Sequence, residues 1–435
     1  MEYLIKKINK SNKISYAFLF ILVGSLILRD IFSITVNKFI IFGLCSLMIL
    51  NSSEDNLSEF ICFLLPLMSG LPSTYVLLLI VIVYIIEGKF NKYSIGISFF
   101  IILIELINCL RIEASFDSNV IKQILFMIVF FLMIYDHTKI NYLNCMKMFF
   151  YGTLLVCFII ITYSIMRAPN DWLYLFSKGW YRFGDVALEE VSSMTLRLNS
   201  NSLAYISLAG LMVGLVIIQY IKENKFIFKI GLLFLFVSGL LSLSRSWILV
   251  LLIIFVLYGL SLLKSKVSIK SIFKIVVFFI LFSSFIFFLY VNMGEIIEGF
   301  STRLMRKDII GGNGRINLSL EYIDAYLQAD FFTILFGSGA SNYKIIYNMM
   351  ESIHAGFLQI IVCYGIIGGL FFILFMFLPL FNNRKTRFLY YLPLLSVLLF
   401  TQTIQFINPP YLMMPYIVAI YCINLGKQKR IRFDY

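Results

Sequence analysis

The stretch AGFLQIIVCYGIIGGLFFILFMFLPL, residues 355–380, decides the fold. It runs twenty-six residues without a charge. A helix needs only about 20 such residues to cross the hydrocarbon of a bilayer. A helix half in water would keep one polar face, and this one has apolar side chains all round. It reads as a membrane span, with His354 before it and Arg384, Lys385 and Arg387 after it.

Comparable apolar runs fill the rest of the chain, at 14–28, 33–50, 57–69, 72–87, 94–110, 119–135, 147–166, 201–221, 226–243, 246–263, 272–291, 388–405 and 409–425. The run at 57–69 is short, and Pro66, Gly70 and Pro72 can join it to the next as one broken helix. Composition agrees. Apolar residues make up 60% of the chain and charged residues 14%, against roughly 25% charged in a soluble domain. A β-barrel would alternate apolar and polar residues in short segments instead. The expected fold class is an all-α integral membrane protein with about 12–14 transmembrane helices. It forms one transmembrane domain over 1–435, with a first external loop at 167–200 and a large external loop at 292–354 that contains amphipathic helices.

Charge sets the expected orientation. Lys6, Lys7, Lys10 and Lys13 precede the first run; no small-residue cleavage site follows them, so this run reads as a retained helix. With the N-terminus inside, the inner segments hold twenty-two basic residues, eighteen of them lysine. That is the positive-inside pattern, and it puts both termini in the cytoplasm. It also accounts for the net charge of +13 without nucleic acid as a partner. The seven cysteines sit mostly inside apolar runs and read as small buried hydrophobes.

The outer basic residues differ in kind. Nine of the remaining fourteen are arginines: Arg29, Arg111, Arg167, Arg182, Arg197, Arg245, Arg303, Arg306 and Arg315. Arginine offers a rigid fork of donors that grips phosphate and keeps its charge in a poor dielectric. Arg245 lies in LSLSRSW, 241–247, between two spans with almost no loop, where a charge points to function. Arg315 follows the glycine turn GGNG, 311–314, and opens a helix in which Ile316, Leu320, Ile323 and Leu327 recur at helical spacing. Glu321, Asp324 and Gln328 fall on its other faces, so the helix is expected on the membrane or on the bundle. His354 stands where the loop meets the next span and can serve as a general base. Glu351 is one turn earlier and would orient it if the helix reached back that far. Glu105 is the one plainly intramembrane charge, expected to face a polar cavity or a base. Two histidines cannot build a typical zinc site, and no Asp-x-Asp pair, P-loop or G-x-S-x-G elbow occurs, so no metal or other cofactor is expected.

Four places resemble the O-antigen polymerase and O-antigen ligase superfamily of bacterial envelope glycosyltransferases. They are RLNSNSLA at 197–204, LSRSW at 243–247, Gly314-Arg315 with its amphipathic helix and FGSG at 336–339, and His354 with GIIG at 365–368. The likeness covers about residues 190–375, and the chain departs from it at Ala355, where asparagine is common. The resemblance implies a metal-independent enzyme of the bacterial inner membrane that takes glycan from undecaprenyl diphosphate on the periplasmic side. A polymerase passes it to a sugar hydroxyl of another lipid-linked repeat; a ligase passes it to the lipid A core. A polysaccharide chain-length regulator is a candidate partner. By the same resemblance Arg245, Arg315 and His354 would be catalytic, with Arg197, Arg303, Arg306, Asn201 and Glu351 binding substrate. The competing classes are a lipid-linked oligosaccharide flippase, whose charges would line a cavity at membrane depth, and a structural partner in an envelope complex.

Overall fold

The computed structural model describes residues 12–88, 92–111, 118–135, 140–177, 181–185, 195–196, 198–221, 225–264, 315–381 and 387–431. The run at 272–291 and parts of the two long loops (178–180, 186–194, 197 and 292–314) lie outside these residues, as do Arg197, Arg303, Arg306 and His137. Among the described residues the chain is all-helical, with no strand.

The helices follow the apolar runs. They are α1 (Asn12–Asp30), α2 (Lys38–Leu50), α3 (Glu54–Leu64), α4 (Ser73–Ile86), α5 (Lys92–Arg111), α6 (Ser118–Tyr135) and α7 (Tyr142–Met166). Next come α8 (Trp172–Ser177), α9 (Ser200–Ile217), α10 (Lys225–Leu241) and α11 (Arg245–Lys264). The long loop contributes α12 (Arg315–Leu327), α13 (Phe331–Phe336) and α14 (Tyr343–Ile346), followed by α15 (Gly356–Phe381), α16 (Leu392–Thr401) and α17 (Pro415–Ile431). Between α3 and α4 the chain makes a 3-10 turn at Leu65–Leu67. The two helices then part, α3 lying along α7 and α4 along α6, so they do not form one broken rod.

Among the described residues four helices are long and apolar enough to cross a membrane by themselves: α6, α7, α9 and α15. Others are shorter. The thirteen residues of α2 reach about 20 Å at 1.5 Å per residue, less than the roughly 30 Å of hydrocarbon. The outside of the bundle is apolar: Phe20, Phe99, Leu110, Phe226 and Leu374 are among its most exposed side chains. Water does not tolerate such a belt, and lipid does.

The centre is α9, packed against α7, α10, α16 and α17. Small residues permit the close approach that membrane helices favour. A Cβ on Gly210 would press on Thr153, and one on Gly152 would run into the Phe63 carbonyl.

The outermost long span is interrupted. In α15 Gly365 has φ 68° and ψ −176°. Gly337, which follows α13, has φ 82° and ψ −173°. Both conformations belong essentially to glycine. The two backbones interlock: a Cβ on Gly337 would strike the Cys363 carbonyl, and one on Gly365 would strike the Leu335 carbonyl. The break frees the carbonyls of Val362 and Cys363, which accept from the amides of Ser338 (3.2 Å) and Gly339 (2.9 Å). Backbone left open inside a membrane helix is thus re-paired by the loop, which the low dielectric there demands.

Candidate active site

The site forms where one end of the bundle is closed by helix beginnings. Asn199 caps α9, accepting from the Ser202 amide at 2.7 Å. The turn Ser242–Ser244, with Leu243 at φ 49°, carries the chain from α10 into α11, which opens on Arg245. Helix α12 opens on Arg315, and α15 opens two residues after His354. Helix N-termini present partial positive charge, so their gathering favours an anion before any side chain is counted.

Arg182 was among the outer arginines, yet no motif distinguished it. The structure places it at the centre. Its segment, 181–185, is held down by the aromatic group Trp172, Phe176, Tyr181 and Phe183. The Tyr181 hydroxyl donates to the Ser164 carbonyl. Arg182 then donates to the Ser200 hydroxyl, to Asn201 Oδ1 (3.4 Å) and to the Ser242 carbonyl (3.4 Å). Asp185 lies 3.4 Å from its Nε and also accepts from the Ser200 amide at 3.0 Å. Asn201 Oδ1 accepts from the Ser244 hydroxyl as well, at 3.2 Å. Asn201 therefore ties Arg182 to the turn that presents Arg245.

The three guanidinium groups repel one another. Burial, and then the charges of Arg182 and Arg245, hold Arg315 below its ordinary pKa. Arg182 is lowered too, by burial first; Asp185 opposes the shift and Arg245 adds to it. His354 completes the group. Burial, with Arg315 beside it, pushes its imidazole down to about 4, so it is neutral at physiological pH. A neutral imidazole has a lone pair to offer, and a bound anion that cancels the arginine charge would recover the smaller part of its lost basicity, burial being the larger cause.

Gln359, one turn into α15, shapes the floor. It is fully buried, and all four of its hydrogen-bonding positions are used. Its Oε1 accepts from the amides of Phe406 (2.8 Å) and Ile407 (3.0 Å). Its Nε2 donates to the Asn408 carbonyl (3.2 Å) and the Tyr343 hydroxyl (3.3 Å). The segment it fixes begins at Thr403, whose carbonyl accepts from Arg315 Nη1 at 3.3 Å.

Of the residues expected from the sequence, Arg245, Arg315, His354 and Asn201 converge, although Asn201 does so as a support for Arg182. Glu351 does not sit as the helical spacing required. Helix α15 starts at Gly356, residue 351 is in a bend, and its side chain is exposed. Its backbone carbonyl accepts from the Tyr322 hydroxyl at 2.7 Å. Glu105, fully buried on α5, meets the FGSG turn: its Oε1 accepts from the Ala340 amide at 2.7 Å. The arrangement can bind an anion with several oxygens and hold a neutral base beside it. No family model, no curated protein and no solved structure matches this chain.

Proposed function

We propose that the chain is a membrane glycosyltransferase that extends a surface polysaccharide, using glycan carried on undecaprenyl diphosphate. The observation that carries this reading is the meeting of Arg182, Arg245 and Arg315 with the neutral His354 at one end of an apolar bundle. A lipid-linked diphosphate is an anion that arrives from the bilayer, and three arginines suit its oxygens. In the step envisaged, the acceptor sugar hydroxyl attacks the anomeric carbon of the donor. The bond from that carbon to the phosphate oxygen breaks, and undecaprenyl diphosphate leaves with the electron pair. The hydroxyl proton passes to His354. The arginines stabilise the charge that develops on the leaving group. The diphosphate is the better leaving group for being so held, and His354 gains basicity from the same neutralisation.

In this reading the bundle crosses the bacterial inner membrane about 12–14 times, with both termini cytoplasmic and the arginine end facing the periplasm. The acceptor is another lipid-linked repeat, as in the polymerases, and a chain-length regulator is the expected partner. The test is a sugar gel of surface polysaccharide from a deletion strain complemented with wild type, Arg315→Ala and His354→Ala. Single-repeat material in both variants, at unchanged protein level, supports polymerisation. Absence of any repeat on the lipid A core would move the assignment to a ligase. Long-chain product from both variants would refute the catalytic assignment.

A further inference from the structure

Helix α12 carries three stripes. Toward the bundle it turns Tyr322 and Tyr326, both buried. The Tyr322 ring lies against Tyr343 and Tyr347. About a quarter of a turn away run Ile316, Leu320, Ile323 and Leu327, which are 50%, 53%, 36% and 66% exposed. Beyond them lie Asn317, Glu321, Asp324 and Gln328, exposed as well. A helix resting on protein and otherwise wet would be polar on both free stripes. This one has a free apolar stripe between its protein face and its polar face.

The neighbouring helix fixes the height of that stripe. Three residues after α12, α13 descends along the side of the bundle. Its Phe332 ring takes the guanidinium of Arg111, the last residue of α5, at 4.9 Å from the centroid, and Asp330 pairs with the same group at 2.6 Å. Below that pair, Phe332 and Phe336 close an apolar groove with Phe100, Leu103 and Ile107. Phe100 is eleven residues before the end of α5, or about 16 Å along it at 1.5 Å per residue. The groove opens on the lipid-facing surface of α5, where Phe99 and Leu110 are exposed. So α13 lies at the depth of the acyl chains, and α12 is joined to it at the border. The acidic pair Glu321 and Asp324 faces away from the apolar stripe, toward water.

We propose that α12 lies flat in the membrane interface beside the bundle, with Ile316, Leu320, Ile323 and Leu327 set into the lipid. Such placement is that of an interfacial amphipathic helix. It sets Arg315, at the head of α12, at the height of lipid phosphates. The placement stands whether or not the chain transfers glycan; only its use for a lipid-linked diphosphate rests on the function proposed above. The occupant of the stripe is bilayer lipid, and a second copy of the chain is the alternative that the test separates.

Single cysteines decide it. The seven native cysteines are buried, so Leu320→Cys, Leu327→Cys, Asp324→Cys and Gln328→Cys can each be labelled with an environment-sensitive fluorophore in the full chain. The labelled protein is placed in phosphatidylcholine–phosphatidylglycerol vesicles carrying nitroxide lipids spin-labelled near the headgroup. The labels at 320 and 327 should emit to the blue and be quenched by the nitroxide lipid. Those at 324 and 328 should be quenched by aqueous iodide instead. Iodide quenching at 320 and 327 would overturn the proposal. So would shielding from both quenchers, which means a second copy covers the stripe, or identical behaviour at all four positions.

Discussion

Two groups of arginine in this bundle, one buried and one part-buried, are handled in opposite ways. Arg29 and Asp30, at the end of α1, are matched. Arg29 gives Asp30 two hydrogen bonds, at 3.1 and 2.6 Å, and Asp30 also accepts from the Thr195 amide at 2.9 Å. Both side chains are nearly inaccessible, at 8% and 1% exposure. Around Arg315 the protein instead sets guanidinium against guanidinium, so that burial and like charge both work against it. The first arrangement is complete without a ligand. The second is a site held at a disadvantage that an anion would relieve, the usual signature of function placed above stability.

The sharpest way to break the comparison is to remove one charge from each group. Arg315→Gln should lower glycosyl transfer by on the order of 10²–10³, the loss expected from one missing charge stabiliser. Its melting temperature in detergent should hold or rise, because the repulsion goes with it. A steep fall in melting temperature would make Arg315 structural and collapse the contrast. Asp30→Ala should do the reverse. It leaves Arg29 buried without its carboxylate, a defect on the order of 3–5 kcal/mol, read as a large drop in thermal stability. An unchanged melting temperature would show that Arg29 reaches water by another route.

Gln359→Leu probes the support beneath the site. It deprives the Phe406 and Ile407 amides of their acceptor and loosens the segment that holds Arg315 through Thr403. Each unpaired amide costs about 1–3 kcal/mol. The apparent KM for the lipid-linked donor should rise more than kcat falls, and an unaltered KM would disconnect Gln359 from Arg315.

The smallest effect is the most specific. His354 should remain neutral on acidification until about pH 4. The unfolded chain binds a proton near 6.5, so between those two values acid draws the equilibrium toward unfolding. Above that window the group contributes no slope. The chain has two histidines, so nitrogen-15 labelling of both gives a readable titration. Arg315→Gln should move the His354 midpoint upward, though not fully to the ordinary value, since burial is the larger cause. An unmoved midpoint would mean the imidazole and the guanidinium are not neighbours.

The apolar runs foretold the helices because a residue in lipid leaves its hydrophobicity plainly in the sequence. Arg245, Arg315 and His354 were legible for a related reason: polar groups at the edge of such runs are expensive and therefore conspicuous. Arg182 was not, since it sits in a loop among other polar residues and only the fold brings it to Asn201 and Ser200. Glu351 misled because an (i, i+3) spacing means adjacency only inside a helix, and α15 does not reach it. Gln359 carried no signal at all. One amide in an apolar run looks incidental until the segment 403–408, more than forty residues away, folds over it.

The interlocked glycines have a mechanical consequence. The carbonyls of Val362 and Cys363 are bonded across to Ser338 and Gly339, and a regular helix would give them instead to Ile366 and Ile367 within its own turn. The elbow in the rod and the clasp above it are therefore one joint. Lifting 337–339 away means straightening α15, and bending α15 back means catching the clasp again, so the turn and the span move as one piece.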